Sequence, residues 1–289
     1  MPKKSKATPK EHINLQLKKF DMKSIPDGKV LLYIGKRGTG KSILVLDYLY
    51  HHRDFPIGTV ISPTDNFNFT YRPHVPSIFI HDEYSPELLE LVLQRQKDIC
   101  QKCKTDPDYA NIDPRTFVIL DDCLADGNEW VKDKNIRWIF MNGRHAKITF
   151  ILTMQYCMGI TPNLRTNVDY VFICKETKLC NQKRLYDHYA GIFPNFDMFR
   201  AALNTCTQNY GCLVIDNSSN SEKLEDQAFW YKGKIDVHTW ATYKLCYPVF
   251  WKNNEIYLSG KDKKTEEKVD YTQLTGKKNQ ICFDIKRLK

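Results

Sequence analysis

Eight consecutive residues have the types and spacing of a phosphate-binding loop. They are Gly35, Lys36, Arg37, Gly38, Thr39, Gly40, Lys41 and Ser42. Their order fits the pattern G-x-x-x-x-G-K-[ST], in which backbone N–H groups surround the phosphates of a nucleotide. We expect Lys41 to reach the β- and γ-phosphates and the Ser42 hydroxyl to bind Mg²⁺. Arg37 belongs to the loop, but we expect its side chain to lie outside the phosphate cradle.

Two acidic stretches compete for the second half of such a site, which needs a carboxylate at the end of a buried strand. Ser77–Glu83 reads SIFIHDE, and Phe117–Asp122 reads FVILDD. The acids of the first stretch suit a helix start, because Pro86 follows them closely. In the second stretch four apolar residues lead directly into the acids, so we favour it. Asp121 would then orient the water shell of Mg²⁺, and Asp122 would act as general base on the attacking water.

A glutamine and two arginines complete the candidate catalytic residues. Gln155 ends the apolar strand after the acidic one, where a neutral donor can sense the γ-phosphate or hold the lytic water. The transferring phosphoryl group also needs a cation besides Lys41. Arg144 and Arg165 are candidates for this arginine finger, and each has the alternative of an ordinary surface residue. A finger from a neighbouring subunit would imply a ring whose ATP hydrolysis depends on assembly.

The elements around these residues predict an α/β fold. Val30–Ile34 is an apolar strand that enters the loop, and apolar residues then recur at helical spacing through Tyr50. Strands and helices continue to alternate, which predicts a mostly parallel central sheet with helices on both faces. We expect a P-loop NTPase domain over residues 24–235. A basic, disordered arm over residues 1–23 and a loosely packed C-terminal extension with a basic tail over residues 236–289 would flank it.

Composition and charge restrict the class of protein. The chain has 289 residues, of which 42% are hydrophobic and 27% charged, and no apolar run is long enough to span a membrane. Because the first residues lack the apolar core of a signal peptide, we expect a soluble, non-secreted protein with reduced cysteines. We interpret the lone pair Cys100 and Cys103 as helix-end cysteines and not as a zinc site.

The net charge of +9 lies entirely in the two ends, +5 in residues 1–23 and +4 in residues 261–289. Basic tails of this kind suit a weak, salt-dependent attraction to a polyanion. Two solvated ends with no partner are an equally good interpretation. The tails and the aromatic loop Asn66–Tyr71 are therefore candidates for contact with DNA or a protein partner.

Four segments, in this order and at this spacing, resemble a family of viral motor proteins. They read GKRGTGKS, FVILDDC, NGRHAKITFILTMQY and TPNLRTNVDYVFI. Together they are similar to the packaging ATPases of nucleocytoplasmic large DNA viruses, the poxvirus-type branch of the FtsK/HerA superfamily. The likeness covers about residues 28–215. The combination of the acidic strand, the Arg144-His145 pair and the strand that ends in Gln155 is far more specific than the P-loop alone.

This resemblance implies a RecA-like fold and an ATP- and Mg²⁺-dependent motor that moves double-stranded DNA into a preformed capsid. It implies a homo-oligomeric ring, a pentamer or a hexamer, and the same roles for the loop, the acidic pair and Gln155. It does not decide between the two arginines. The expected partners, besides DNA, are capsid or portal-vertex proteins and membrane-associated virion proteins. The expected location is the viral factory in the host cytoplasm, with the virion as a second location.

Three other functions stay open. A HerA-like or helicase-like ATPase for DNA processing would share the site, although the sequence lacks the second RecA-like core of two-domain helicases. A small-molecule kinase would need an arginine-bearing lid and an acceptor pocket. A nucleotide-dependent assembly protein without motor activity would need a defective site, whereas Lys41, Ser42, Asp121, Asp122 and Gln155 are all present.

Overall fold

A nine-stranded sheet organises the part of the chain that the computed structural model describes, residues 15–123, 129–234 and 243–263. The strands are β1 Lys18–Lys19, β2 Val30–Ile34, β3 Gly58–Ile61, β4 Ile80–His81, β5 Thr116–Leu120, β6 Ile148–Met154, β7 Tyr170–Ile173, β8 Cys212–Asp216 and β9 Ala228–Tyr231. Their order across the sheet is β1-β9-β8-β7-β2-β6-β5-β3-β4. All neighbours pair in parallel except β8, which runs antiparallel to both β7 and β9.

Helices cover both faces of this sheet. They are α1 Lys41–His51, α2 Asp65–Asn68, α3 Pro86–Thr105, α4 Glu129–Lys132, α5 Lys134–Asn142, α6 Pro162–Arg165, α7 Leu179–Tyr189, α8 Phe196–Cys206 and α9 Pro248–Lys263. Every residue of β2, β5 and β6 is buried, as expected for parallel strands covered on both faces. One apolar core lies against α3, α5, α7 and α8, and the other lies against α1. The predicted fold class is therefore confirmed. In the described part of the chain, no helix combines the length and apolar character needed to cross a bilayer.

The three central strands bring the predicted site together. In the parallel register Ile34 of β2 lies opposite Met154 of β6, and Leu120 of β5 lies opposite Leu152 of β6. The three strands therefore end at the same edge of the sheet. This carboxyl edge is where open α/β sheets bind ligands.

At the N-terminus the folded domain begins before the expected boundary at residue 24. Lys18–Lys19 pairs with β9 as an edge strand, and Phe20 and Met22 are buried. The ring of Phe20 packs among the aromatic rings of β7 and β9. Lysines suit an edge strand, because their charge discourages further pairing. Residues 1–14, which hold most of the expected arm, lie outside the described residues.

At the C-terminus the first described residues of the expected loose extension, from Tyr243 onward, are well packed. Leu245 is fully buried, and its N–H donates to the carbonyl oxygen of His74 over 2.8 Å. Asn254 of α9 accepts a hydrogen bond from the N–H of Ile78. The acidic stretch Ser77–Glu83 contains only the two-residue strand Ile80–His81, because a 3-10 turn occupies the preceding three residues. The basic tail after residue 263 lies outside the described residues.

Candidate nucleotide site

The P-loop connects β2 to α1 with a backbone that only glycines adopt readily. Gly38 and Gly40 have φ angles of 76° and 94°. A Cβ on Gly35 would lie 2.6 Å from the Cβ of Cys174 and from Oγ1 of Thr39. The glycines of the pattern therefore permit both the curl of the loop and its close packing on β7. Helix α1 begins at Lys41, so its positive N-terminal end adds to the attraction for an anion.

The side chain of Lys41 folds back over the loop that it follows. Its Nζ donates to the carbonyl oxygens of Gly35 over 2.8 Å and Lys36 over 3.3 Å, and the residue is only 8% exposed. These neutral acceptors hold the ammonium group without neutralising its charge. An incoming phosphate can therefore replace them as the partner of Lys41.

A cavity of about 260 Å³ lies between the P-loop and the acidic pair. Its lining residues are Arg37, Gly38, Gly40, Lys41, Ser42, Ile43, Thr64, Asn68, Asp121 and Asp122. Arg37 lines this cavity as a member of the loop. Ser42 and Asp121 give the hard oxygen ligands that Mg²⁺ prefers, and Mg²⁺ normally keeps several waters and substrate oxygens besides. The residues present therefore fit that ion.

Asp121 is a buried carboxylate at the end of β5. Thr153 of β6 donates its hydroxyl to Oδ1 of Asp121 over 2.6 Å, and the buried hydroxyl of Tyr71 faces the same group. Burial raises the pKa of Asp121, while the hydrogen bond from Thr153, the nearby hydroxyl of Tyr71 and the charge of Lys41 oppose that rise. A bound cation would favour the ionised form further. These contacts fix the carboxylate so that it faces the phosphate cavity.

Asp122 adopts a left-handed backbone conformation with a φ of 57°, which is uncommon for a residue with a side chain. The turn is held by its own N–H, which donates to Oγ1 of Thr153 over 3.0 Å. Nε2 of Gln155 lies 2.7 and 2.5 Å from the two carboxylate oxygens of Asp122. The structure therefore joins the predicted general base and the predicted sensor directly. Strain of this kind costs about 1–3 kcal/mol and concentrates at functional sites.

Lys36 ties the P-loop to the connection between β7 and α7. Its Nζ lies 2.5 Å from Oε1 of Glu176, which also accepts hydrogen bonds from the N–H groups of Thr177 and Lys178. Glu176 is 8% exposed. Burial opposes ionisation of Glu176, but the hydrogen bonds from Lys36, Lys178 and Asn181 leave its pKa below the usual value. An ionised, buried anchor therefore holds one side of the loop.

The two candidate arginine fingers do not line the cavity. Arg144 lies at the amino end of β6, close to Gly28. A Cβ built on Gly28 would lie 3.2 Å from the Cα of Arg144. The seven residues of β6 separate it from Gln155 by about 23 Å. The guanidinium group of Arg165 lies 5.8 Å from the ring centre of Tyr189 in α7. Neither arginine therefore reaches the phosphate site of its own subunit in this arrangement.

Thr153 and Glu176 are site residues that sequence reasoning missed. A signal for Thr153 existed, because a polar residue two positions before Gln155 in an apolar strand suggests a role at the strand end. Its partner depends on the register between β5 and β6, which sequence alone did not give. Glu176 had no comparable signal, because its contact with Lys36 depends on the order of β2 and β7 in the sheet.

Comparisons with solved structures place the fold. The chain is similar to EssC (ATPases 2 and 3) from Geobacillus thermodenitrificans, with a TM-score of 0.51 and 15% identity over 80% of this chain and 45% of that one. The genome packaging NTPase B204 of Sulfolobus turreted icosahedral virus 2 gives a TM-score of 0.48 and 14% identity over 73% of this chain and 99% of that one. The likeness to EssC supports the P-loop ATPase fold.

Sequence comparisons place the family. The chain is 41% identical to protein L437 of Acanthamoeba polyphaga mimivirus over 76% of its own length and 78% of the relative's. It is 38% identical to protein 075L of Invertebrate iridescent virus 6 over 73% of its own length and 80% of the relative's. The family model described as Poxvirus A32 protein matches residues 17–228. The chain therefore belongs to the Poxvirus A32 protein family, which confirms the resemblance that its motifs indicated.

Proposed function

We propose that this protein is an ATPase that moves double-stranded DNA during packaging of a viral genome. The observation that best supports hydrolysis is the direct contact between Asp122 and Gln155 at the edge of the phosphate cavity. A protein that only binds nucleotide has no need of a carboxylate and an amide placed together beyond the γ-phosphate. Family membership and the motif resemblance support the viral DNA substrate.

Each residue of the site has one task in this mechanism. The P-loop N–H groups and Lys41 bind the β- and γ-phosphates and stabilise the charge that develops on them. Ser42 and Asp121 would hold Mg²⁺ through oxygen ligands, and the bound ion would supply charge neutralisation. Asp122 accepts a proton from the water that attacks the γ-phosphate. Gln155 orients that water, and its contact with Asp122 keeps both groups in position.

The arginine finger comes from a neighbouring subunit in this proposal. Arg144 is exposed and lies at the amino edge of the sheet, opposite the edge that holds its own phosphate site. An arginine in that position can complete only the site of another copy. ATP hydrolysis then depends on ring assembly, which would link the chemistry of one subunit to the position of the next.

Helix α2 provides a path from the nucleotide to the DNA. Thr64 and Asn68 line the phosphate cavity, whereas Phe67 and Phe69 are 85% and 55% exposed. The buried Asp65 fixes this turn by accepting a hydrogen bond from a backbone N–H six residues further along the chain. Asn68 lies directly between the two exposed phenylalanines in the chain, so in this proposal a change at the γ-phosphate would be transmitted to their rings through it. We assign the aromatic loop to DNA contact on this ground.

The experiment is a measurement of ATP hydrolysis by wild-type protein with and without double-stranded DNA over a range of salt concentrations. We expect DNA to stimulate the rate and salt to weaken the stimulation. Lys41→Ala should abolish turnover. Equal rates with and without DNA would favour an assembly protein or an enzyme acting on another substrate. Wild-type turnover in Lys41→Ala would overturn the site itself.

A further inference from the structure

An exposed tyrosine lies beside the P-loop, on the side away from the acidic pair. Tyr210 is 70% exposed. A Cβ built on Gly40 would lie 3.9 Å from both Cβ and Cδ1 of Tyr210. Gly40 also lines the phosphate cavity and precedes the first residue of α1. A solvent-exposed aromatic side chain therefore adjoins the same glycine that would contact the phosphates.

The sheet explains how Tyr210 reaches this position. Strand β8 is antiparallel to β7, and Leu213 near its start pairs with Ile173 at the end of β7. The turn before β8 therefore lies at the same edge of the sheet as the P-loop. The P-loop strand has β6 on one side and β7 on the other. Asp122 and Gln155 lie on the β6 side, and Tyr210 lies on the β7 side.

The backbone holds Tyr210 in an unusual conformation. Asn209 and Tyr210 are both left-handed, with φ angles of 50° and 63°. The N–H of Gly211 closes the turn by donating to the carbonyl oxygen of Gln208 over 2.9 Å. A Cβ on Gly211 would lie 2.2 Å from the carbonyl oxygen of Cys206, so the chain passes tightly over the end of α8. Two successive strained residues cost free energy, and such strain collects where a group must be positioned for function.

We propose that Tyr210 is the stacking platform for the base of a purine nucleoside triphosphate bound at the P-loop, an inference that rests on the proposed function. The γ-phosphate end of the ligand belongs beside Asp122 and Gln155. A triphosphate that crosses the P-loop from there carries its nucleoside to the β7 side, where Tyr210 lies. A planar base stacked on the exposed ring removes one face of each ring from water.

Stacking also limits how selective the site is for the base. Every base has a π-face, so an aromatic platform without hydrogen-bond readout binds ATP and GTP with similar affinity. A pyrimidine nucleotide offers a smaller ring and binds more weakly. The platform therefore adds affinity for the nucleoside and leaves recognition of the phosphates to the loop.

The test compares two ligands that share the phosphates and differ in the nucleoside. Binding of ATPγS and of inorganic tripolyphosphate, both with Mg²⁺, is measured by calorimetry on wild-type protein and on Tyr210→Ala, Tyr210→Phe and Lys41→Ala. Tyr210→Ala should bind ATPγS about tenfold more weakly, as expected for the loss of one base–aromatic stack, and tripolyphosphate as wild type does. Tyr210→Phe should bind both ligands normally. Tyr247→Ala, at another exposed tyrosine, is the control for a general effect on the fold.

The outcomes separate failure of the platform from failure of the nucleotide site. If Tyr210→Ala binds ATPγS like wild type, the platform is wrong and the proposed function stands. If Tyr210→Ala loses affinity for both ligands equally, Tyr210 supports the loop and not the base, which also overturns the platform. If wild-type protein binds neither ligand, or if Lys41→Ala binds both like wild type, the proposed function fails and the platform fails with it.

Discussion

The hydroxyl of Thr153 should be as important for turnover as the acidic residues that it contacts. It donates to Oδ1 of Asp121 over 2.6 Å and accepts from the N–H of Asp122 over 3.0 Å. Thr153→Val keeps the shape of the side chain and removes both contacts. The loss of a hydrogen bond to a charged acceptor costs about 1.5–3 kcal/mol. If that cost falls on the transition state, kcat decreases by about 10- to 150-fold.

The pH dependence gives a second readout with a defined direction. Burial raises the pKa of Asp121, and the hydrogen bond from Thr153 is the largest contribution that lowers it. Removal of that hydroxyl raises the pKa of Asp121 further. Because only the ionised carboxylate can hold Mg²⁺, activity is lost as the pH falls through this pKa. The acidic limb of the pH–rate profile should therefore move to higher pH in Thr153→Val.

Thr149→Val is a matched control on the same strand. Thr149 is also fully buried, and its Oγ1 accepts from the N–H of Gly28 over 3.0 Å at the opposite end of β6. The free energy of unfolding of both variants should fall by about 1–3 kcal/mol, because each substitution leaves a backbone N–H without its partner. Only Thr153→Val should change kcat and the pH profile. Equal loss of activity in both variants, or normal activity in Thr153→Val, would refute the role given to Thr153.

Three further predictions concern other parts of the site. Asp122→Asn should keep nucleotide binding and lose turnover, as measured by calorimetry and phosphate release; loss of binding as well would make Asp122 a metal holder. Glu176→Gln removes the ion pair between Glu176 and Lys36 and should weaken ATPγS binding several-fold, because the P-loop is then held less firmly. Unchanged affinity would show that this ion pair does not support the loop. Wild-type protein mixed with Arg144→Ala protein should lose more activity than the mole fraction of mutant subunits accounts for, if the finger acts between subunits. The same mixture with Arg165→Ala should lose no more activity than simple dilution accounts for.

The phosphate-binding residues could be predicted from sequence because their function depends on local spacing. The P-loop is one continuous turn, and its glycines adopt the positive φ angles that the pattern requires. The choice of Phe117–Asp122 over Ser77–Glu83 also agrees with the structure. Phe117–Leu120 belongs to a fully buried strand next to β6, whereas Ser77–His81 forms a 3-10 turn and a two-residue strand. An uninterrupted apolar run was sufficient to tell them apart.

Residues whose role depends on contacts between distant strands could not be predicted in the same way. Glu176 and Tyr210 reach the P-loop only because β7 lies beside β2 and the reversed strand β8 lies next to β7. Alternation of strands and helices predicts a parallel sheet, and it does not identify which strand is reversed. The packing of Phe20 was missed for a similar reason, because a short lysine-rich segment has no strand signal until β9 offers an edge.

Movement along double-stranded DNA is the central claim, and displacement of a triplex-forming oligonucleotide from a linear duplex measures it most directly. Wild-type protein should displace the third strand in the presence of ATP and Mg²⁺. Asp122→Asn should bind the same DNA and nucleotide and leave the third strand in place. Failure of wild-type protein to displace it under conditions where DNA stimulates ATP hydrolysis, or equal displacement by Asp122→Asn, would contradict the account.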